Sequence, residues 1–142
     1  MRAVIAALAA LWLVGCASIL EYKTAAVQGD PKLLVEQVLM EQPRKFHPDY
    51  VNVTDLFVEY GGATYSKDPP TGIGHSVSRK DVKRMYYKSI AENRLFAKGR
   101  WFMVRSVNAQ GTLIGEAWSD DKDKAVQYIS ALEELKRRAE SE

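Results

Sequence analysis

Arg100-Trp101-Phe102-Met103-Val104-Arg105-Ser106-Val107, then Asn108-Ala109-Gln110-Gly111, then Thr112-Leu113-Ile114-Gly115-Glu116-Ala117-Trp118 is the stretch that decides the fold. Its first part is rich in aromatic and β-branched residues, which fit a pleated, half-buried surface. The four residues in the middle suit a hairpin loop, with Gly111 available for positive φ. Just upstream, Lys98-Gly99 can turn the chain back from Leu95-Phe96. The spacing therefore predicts antiparallel strands over 100–107 and 112–118. Ser119-Asp120-Asp121 then caps a long helix over 121–138. Val126, Ile129, Leu132 and Leu135, with Ala125 and Tyr128, give that helix a broad apolar stripe,. Lys136-Arg137-Arg138 lie at its carboxyl end, where cations suit the helix dipole,. A helix so striped must cover an apolar face or opening of the sheet.

Working back toward the amino terminus, residues 78–97 read two ways. Ser78 with Asp81 resembles a capping box, and Val82, Met85, Tyr86 and Ile90 are spaced like a helix stripe,. Tyr86-Tyr87 and Ile90 suit a strand equally, and the strands that follow favour strand over 84–90. Asp68-Pro69-Pro70-Thr71-Gly72-Ile73-Gly74 is a loop,. Gly61-Gly62, between Val58-Glu59-Tyr60 and Ala63-Thr64-Tyr65, has the composition of a tight hairpin turn,. Val51, Val53, Leu56, Phe57, Val58 and Tyr60 are strand-like, with a bend or bulge expected at Asp55. A short helix is expected over 31–41, capped by Asp30, opened by Pro31 and stopped by Pro43,.

The chain has 142 residues, 46% of them apolar and 27% charged, enough for one domain with a core,. Its net charge of +2 is too small to argue for bulk nucleic-acid binding,. The single cysteine excludes an intramolecular disulfide,.

That cysteine sits in a telling place. Arg2 is followed by an uncharged apolar run over residues 3–14, the order of a secretory leader,. About a dozen residues fall short of the roughly 20 that a spanning helix needs. Leu13-Val14-Gly15-Cys16, followed by Ala17-Ser18, resembles the bacterial lipobox. The resemblance covers the first 18 residues. It implies removal of a signal peptide, residues 1–15, and lipid on the Cys16 thiol. It also implies acylation of the new amino terminus, palmitate being a typical group, so that the chain is held on a membrane. Ala17 lacks the aspartate that retains such proteins at the inner membrane, so for a Gram-negative source the outer membrane, periplasmic side, is expected. Residues 16–29 then read as a lipidated tether and residues 30–142 as a single domain.

The fold class expected for that domain is α+β: an antiparallel sheet or bent barrel closed by a C-terminal amphipathic helix, with a short N-terminal helix. The last third is similar to pleckstrin-homology-like domains. That likeness rests on Tyr86-Tyr87-Lys88-Ser89-Ile90, Trp101-Phe102-Met103-Val104, the loop from Asn108 to Gly111, and Ala125-Val126-Gln127-Tyr128-Ile129-Ser130-Ala131-Leu132. In that family a barrel of strands ends in a helix that plugs one opening. The alternative is a plain antiparallel sheet with one covering helix.

Catalytic residues are not expected, nor any metal or cofactor. His47 and His75 lack the close ligand spacing of a zinc site, and both read as surface loop residues,. No serine stands in a Gly-x-Ser-x-Gly elbow, and Gly72-Ile73-Gly74 lacks the Gly-Lys-Ser/Thr of a phosphate loop,. Asp120-Asp121-Lys122-Asp123 lacks the glycine and distal glutamate of a calcium loop and is better explained as a helix cap,. The uneven feature is basic. Arg79, Lys80, Lys83, Arg84, Lys88, Arg94, Lys98, Arg100 and Arg105 face only Asp81 and Glu92, a net +7, with Tyr86, Tyr87, Phe96, Trp101 and Phe102 interleaved. The first eight of these cations form a candidate surface for an anionic partner: lipid headgroups, a glycan or an acidic envelope protein. A solvated face over core aromatics explains the same residues. The expected function is a non-enzymatic binding or scaffold module in the bacterial envelope. The alternatives are a small envelope hydrolase and a purely structural lipoprotein.

Overall fold

The structure is a computed structural model that describes residues 16–67 and 75–142, with side chains described over 16–62 and 81–142. The elements run β1 (Ser18–Leu20), α1 (Pro31–Met40), β2 (Tyr50–Val53), β3 (Phe57–Lys67), β4 (His75–Tyr86), a 3₁₀ turn (Tyr87–Ser89), β5 (Glu92–Lys98), β6 (Trp101–Val107), β7 (Leu113–Ser119) and α2 (Lys122–Ser141). They form two antiparallel sheets, one of order β1-β5-β6-β7 and one of order β2-β3-β4. The fold is α+β, as expected, but the described strands do not close into a barrel.

Strand register explains how the larger sheet divides its residues. Leu20 pairs with Leu95, Leu95 with Val104, and Val104 with Ala117, so these four make one row across the sheet. That row faces the core, with Val35, Val38 and Leu39 of α1, Val58 of β3, Met85 of β4, and Tyr128, Ile129, Leu132 and Leu135 of α2. Helix α2 lies against α1, the 3₁₀ turn and strands β5, β6 and β7. Side chains alternate along a strand, so the neighbouring row, Ile19, Phe96, Met103 and Trp118, lies on the face turned away from that cluster, with Met103 and Trp118 nonetheless buried.

Both helices are capped as their sequences imply. The Asp30 carboxylate accepts from Lys32 N at 2.9 Å, and Asp121 accepts from Asp123 N at 2.7 Å and Lys124 N at 3.3 Å. The β6–β7 loop is closed by Asn108, whose Oδ1 accepts from Gln110 N and Thr112 N, while Gly111 takes φ 77°. Near the end of α2, hydrogen bonds from Arg137 and Arg138 hold the Glu134 carboxyl down to about 2. A carboxyl so depressed contributes stability that is complete above its ordinary range and is lost as pH falls through about 2,. Glu134→Gln is therefore expected to lower the helical signal of the last turns at neutral pH and to flatten its decline on acidification. A wild-type acid titration by circular dichroism, superimposable on the variant's, would mean the clasp contributes nothing.

Three expectations need correction. Gly61-Gly62 is not a turn: both residues lie inside β3, beside a register shift between Tyr60 and Gly62. The chain needs no turn there because it reverses earlier, at Thr54-Asp55-Leu56, where Thr54 Oγ1 accepts from Leu56 N and Phe57 N. Gly61 serves close approach instead, since a Cβ on it would meet the Asp81 carbonyl oxygen at 2.9 Å and Val82 Cα at 3.0 Å. The Ser78–Asp81 capping box is likewise strand, with Ser78 paired to Thr64. Strand over 84–90 holds for residues 84–86 only. It gives way to the 3₁₀ turn that buries Tyr87, whose hydroxyl donates to Thr54 O at 3.1 Å. Within residues 16–29, expected as a lipidated tether, Ser18–Leu20 pairs with β5. Leu20 and Val27 pack on the core, and the Tyr22 hydroxyl donates to Asn93 O at 2.6 Å. A three-residue strand carries too little periodicity to be seen in sequence. The loop expected over 68–74 lies outside the described residues.

Candidate binding face

The outward row of the larger sheet is the candidate face, although Met103 within it is only 2% exposed. Phe96 is half-buried, Trp118 is largely buried, and Ile19 at the sheet edge is 67% exposed. Phe46, from the connection between α1 and β2, extends the row by stacking flat on Trp118, centroids 4.6 Å apart and planes 3° from parallel. The stack is built on fixed supports. Trp118 N donates to Gln42 Oε1 at 2.9 Å, and its indole Nε1 donates to Glu116 Oε1 at 2.8 Å. The other carboxylate oxygen of Glu116 accepts from Arg105 Nε at 2.8 Å. With backbone and ring both held, Trp118 is pre-organised as a flat apolar plate.

Cations border this plate. Lys98 Nζ lies 5.9 Å from the Trp118 centroid, Lys45 Nζ 5.5 Å from that of Phe46, and the Arg105 guanidinium 5.7 Å from that of Phe96. The Arg100 guanidinium is 4.8 Å from the Trp101 centroid. Such pairs attract through the ring quadrupole, and Arg105 is held by Glu116 as well.

Beside the plate, at the seam of the two sheets, is a cleft of about 290 Å³. Phe46, His47, Tyr60, Asp81, Lys83, Glu116 and Trp118 are among the residues that line it. Two features shape it. The first is the β3–β4 irregularity, where Asp81 adopts φ 53° opposite Gly61; bulges of this kind recur next to binding sites. The second is Tyr60, whose hydroxyl donates to Glu116 O at 3.2 Å and accepts from Glu116 N at 3.3 Å. Burial pushes the Tyr60 phenol up, so the hydroxyl keeps the proton it donates. One hydroxyl thus satisfies both backbone groups of an edge-strand residue. Tyr60→Phe is expected to leave both unpaired at the seam and to cost about 1–3 kcal/mol, read as a lower denaturation midpoint. An unchanged midpoint would show that water replaces the hydroxyl without loss.

Fold geometry divides the basic residues expected to share one surface. Arg79, Lys80, Lys83 and Arg84 are on β4, but the Arg79 and Lys80 side chains lie outside the described residues. Arg84 is committed to the buried Glu59, donating from Nε at 2.8 Å, and Arg94 is paired with Glu92 at 2.8 Å. Lys88 lies in the 3₁₀ turn, before the start of β5, whereas Lys98 ends that strand. Lys83 lines the cleft, and Lys98 and Arg100 flank one hairpin tip. The aromatic plate was not singled out in sequence. The alternation of residues 96 and 98, and of 101, 103 and 105, was visible, but only register shows that these positions adjoin Trp118 and Phe46.

His47 is exposed at the rim of the cleft. Asp49 N donates to Gly61 O, whereas His75 pairs with Lys67, further out along β3. Roughly 20 Å of strand separates Gly61 from Lys67, so the two histidine-bearing segments do not share the cleft. Among the described residues no three His, Cys, Asp or Glu side chains are grouped to hold a metal ion, and no helix is long and apolar enough to cross a membrane.

No family model, curated protein or solved structure matches this chain.

Proposed function

We propose that this chain is a lipid-anchored envelope protein whose domain is a non-enzymatic binding or scaffold module. The observation that carries the binding role is the exposed Phe46 ring stacked on the largely buried Trp118, with half-buried Phe96 on the same side of the larger sheet, bordered by Lys45, Lys98 and Arg105. A rigid aromatic surface with cations at its edge is the composition that protein interfaces favour at their centres. The anchor rests on the lipobox-like sequence ending at Cys16, which is exposed. With several acyl chains at one residue, stable attachment needs no further signal. Ala17 favours the outer membrane in a Gram-negative cell. The plan of two antiparallel sheets followed by a covering helix supports kinship with pleckstrin-homology-like domains, which commonly present one face to a protein or lipid.

Native protein is expected to lack residues 1–15 and to be heavier than residues 16–142 by its acyl groups. Cys16→Ser should move it from the membrane to the aqueous fraction. An intact Met1 or a bare thiol on wild-type protein, read by mass spectrometry, overturns the anchor. Affinity purification of the lipidated protein from detergent-solubilised envelope should return one stoichiometric partner, and Phe46→Ala should lose it while keeping the fold. A partner held equally by Phe46→Ala places the binding role elsewhere.

A further inference from the structure

Resting on that anchor, we infer that the β5–β6 hairpin tip, Lys98-Gly99-Arg100-Trp101, is a contact surface for the anionic headgroups of the same bilayer that holds Cys16. The register leads to it. Ser18 pairs with Ala97 in an antiparallel ladder, so the chain before Ser18 runs alongside Lys98 and Gly99. Two residue steps separate Cys16 from Ser18, which allows a reach of about 7 Å at most. A lipid on Cys16 therefore brings the end of the larger sheet that carries this hairpin tip to the membrane surface. The β6–β7 loop, at Asn108 and Gly111, lies at the opposite end of β6.

The tip has the chemistry that such a position requires. Lys98 and Arg100 are exposed, and among the described residues neither is ion-paired, whereas Arg84, Arg94 and Arg105 are each held by a glutamate. Trp101 is half-buried under the Arg100 guanidinium, and Ile19 stands 67% exposed on the adjoining strand. Tryptophan beside lysine or arginine is the pairing that settles at the headgroup layer, ring inward and charge outward. Each such cation near an anionic surface adds attraction that salt weakens. Asp120 and Asp121, exposed where β7 ends, are carboxylates at the same end of the sheet that oppose this charge. The contact sets the domain's orientation: the larger sheet stands with its hairpin tip down, and the Phe46–Trp118 plate opens close above the membrane.

The test uses the full chain, produced in bacteria and purified as the native protein, with the state of Cys16 read by mass spectrometry. The protein is reconstituted into vesicles of phosphatidylcholine alone, or with about one-third phosphatidylglycerol, each doped with acyl-brominated lipid that quenches tryptophan at short range. Tryptophan quenching is expected to be at least about twofold greater in the anionic vesicles, following their greater pull on exposed cations. It should fall by half or more in Trp101→Phe and lose its lipid dependence in Lys98→Glu/Arg100→Glu. Acylated, vesicle-bound protein whose quenching ignores both substitutions overturns this orientation while leaving the anchor intact. A bare Cys16 removes the anchor and this inference with it.

Discussion

Leu132→Asp is expected to abolish cooperative folding. Leu132 is fully buried in the middle of α2, facing the cluster shared with Val35, Leu39, Tyr87 and Leu95. Removing its side chain alone, as in Leu132→Ala, should cost about 2–5 kcal/mol. The aspartate adds a charge for which the cluster holds no partner. Burying it adds several kcal/mol more, and the total rivals the roughly 5–15 kcal/mol that stabilises an ordinary domain. Thermal melts followed by near-ultraviolet circular dichroism should show no transition for Leu132→Asp and a shifted but sharp one for Leu132→Ala. Leu33→Asp, on the exposed face of α1 where Leu33 is 63% accessible, should melt within about 0.5 kcal/mol of wild type,. If Leu132→Asp melted like Leu33→Asp, α2 would not be docked.

Gly61→Val is the second large effect. At most positions an added side chain meets another side chain that can rotate away. At Gly61 it meets backbone, the Asp81 carbonyl at 2.9 Å and Val82 Cα at 3.0 Å, so strands β3 and β4 must separate to admit it. Overpacking of this sort costs about 1–3 kcal/mol for a modest insertion, and a β-branched residue against main chain belongs at the upper end. The opposite strand offers an independent check. Asp81 holds φ 53°, a conformation costing a non-glycine residue roughly 1–2 kcal/mol,. Asp81→Gly should therefore stabilise the fold by about 1 kcal/mol, as glycine takes that conformation freely. Urea denaturation separates these outcomes, with midpoints moving in opposite directions and slopes unchanged. A Gly61→Val midpoint equal to wild type would mean the two strands are not in this contact.

The parts of the fold that sequence made legible are those in which local and tertiary preferences agree. Helix α2 needed only its stripe and its Ser119-Asp120-Asp121 start, and the β6–β7 hairpin only Asn108 and Gly111 between two apolar runs. Legibility failed where a residue's role depends on what lies across from it. Gly61-Gly62 has turn composition, yet its purpose is clearance for a neighbouring strand, a property of pairing rather than of order along the chain. Tyr86 and Tyr87 suit strand or helix alike; what separates them is that Tyr87 turns inward to reach Thr54 O while Tyr86 stays exposed in β4. The basic stretch shows the same limit at the candidate site. Sequence counts charges, but Glu59, Glu92 and Glu116 decide which arginines are spoken for. Lys98 and Arg100 were singled out with their neighbours, and only the ladder distinguishes them. Phe46 and Trp118 are 72 positions apart, and no pattern along the chain announces that their rings stack.

Strand β1 also determines how the domain answers a mechanical load. It is an edge strand of three residues, antiparallel to β5, and its first residue is the one nearest Cys16. Tension drawn through Cys16 reaches Ser18 first and bears on the short ladder between β1 and β5. Once those three pairs part, the next fastening is the Tyr22 hydroxyl on Asn93 O. The core row beneath would lose Leu20 but keep Leu95, Val104 and Ala117 under α2. Under such a load the three-residue strand, far shorter than the seven-residue strands beside it, is expected to yield before the sheet that α2 covers.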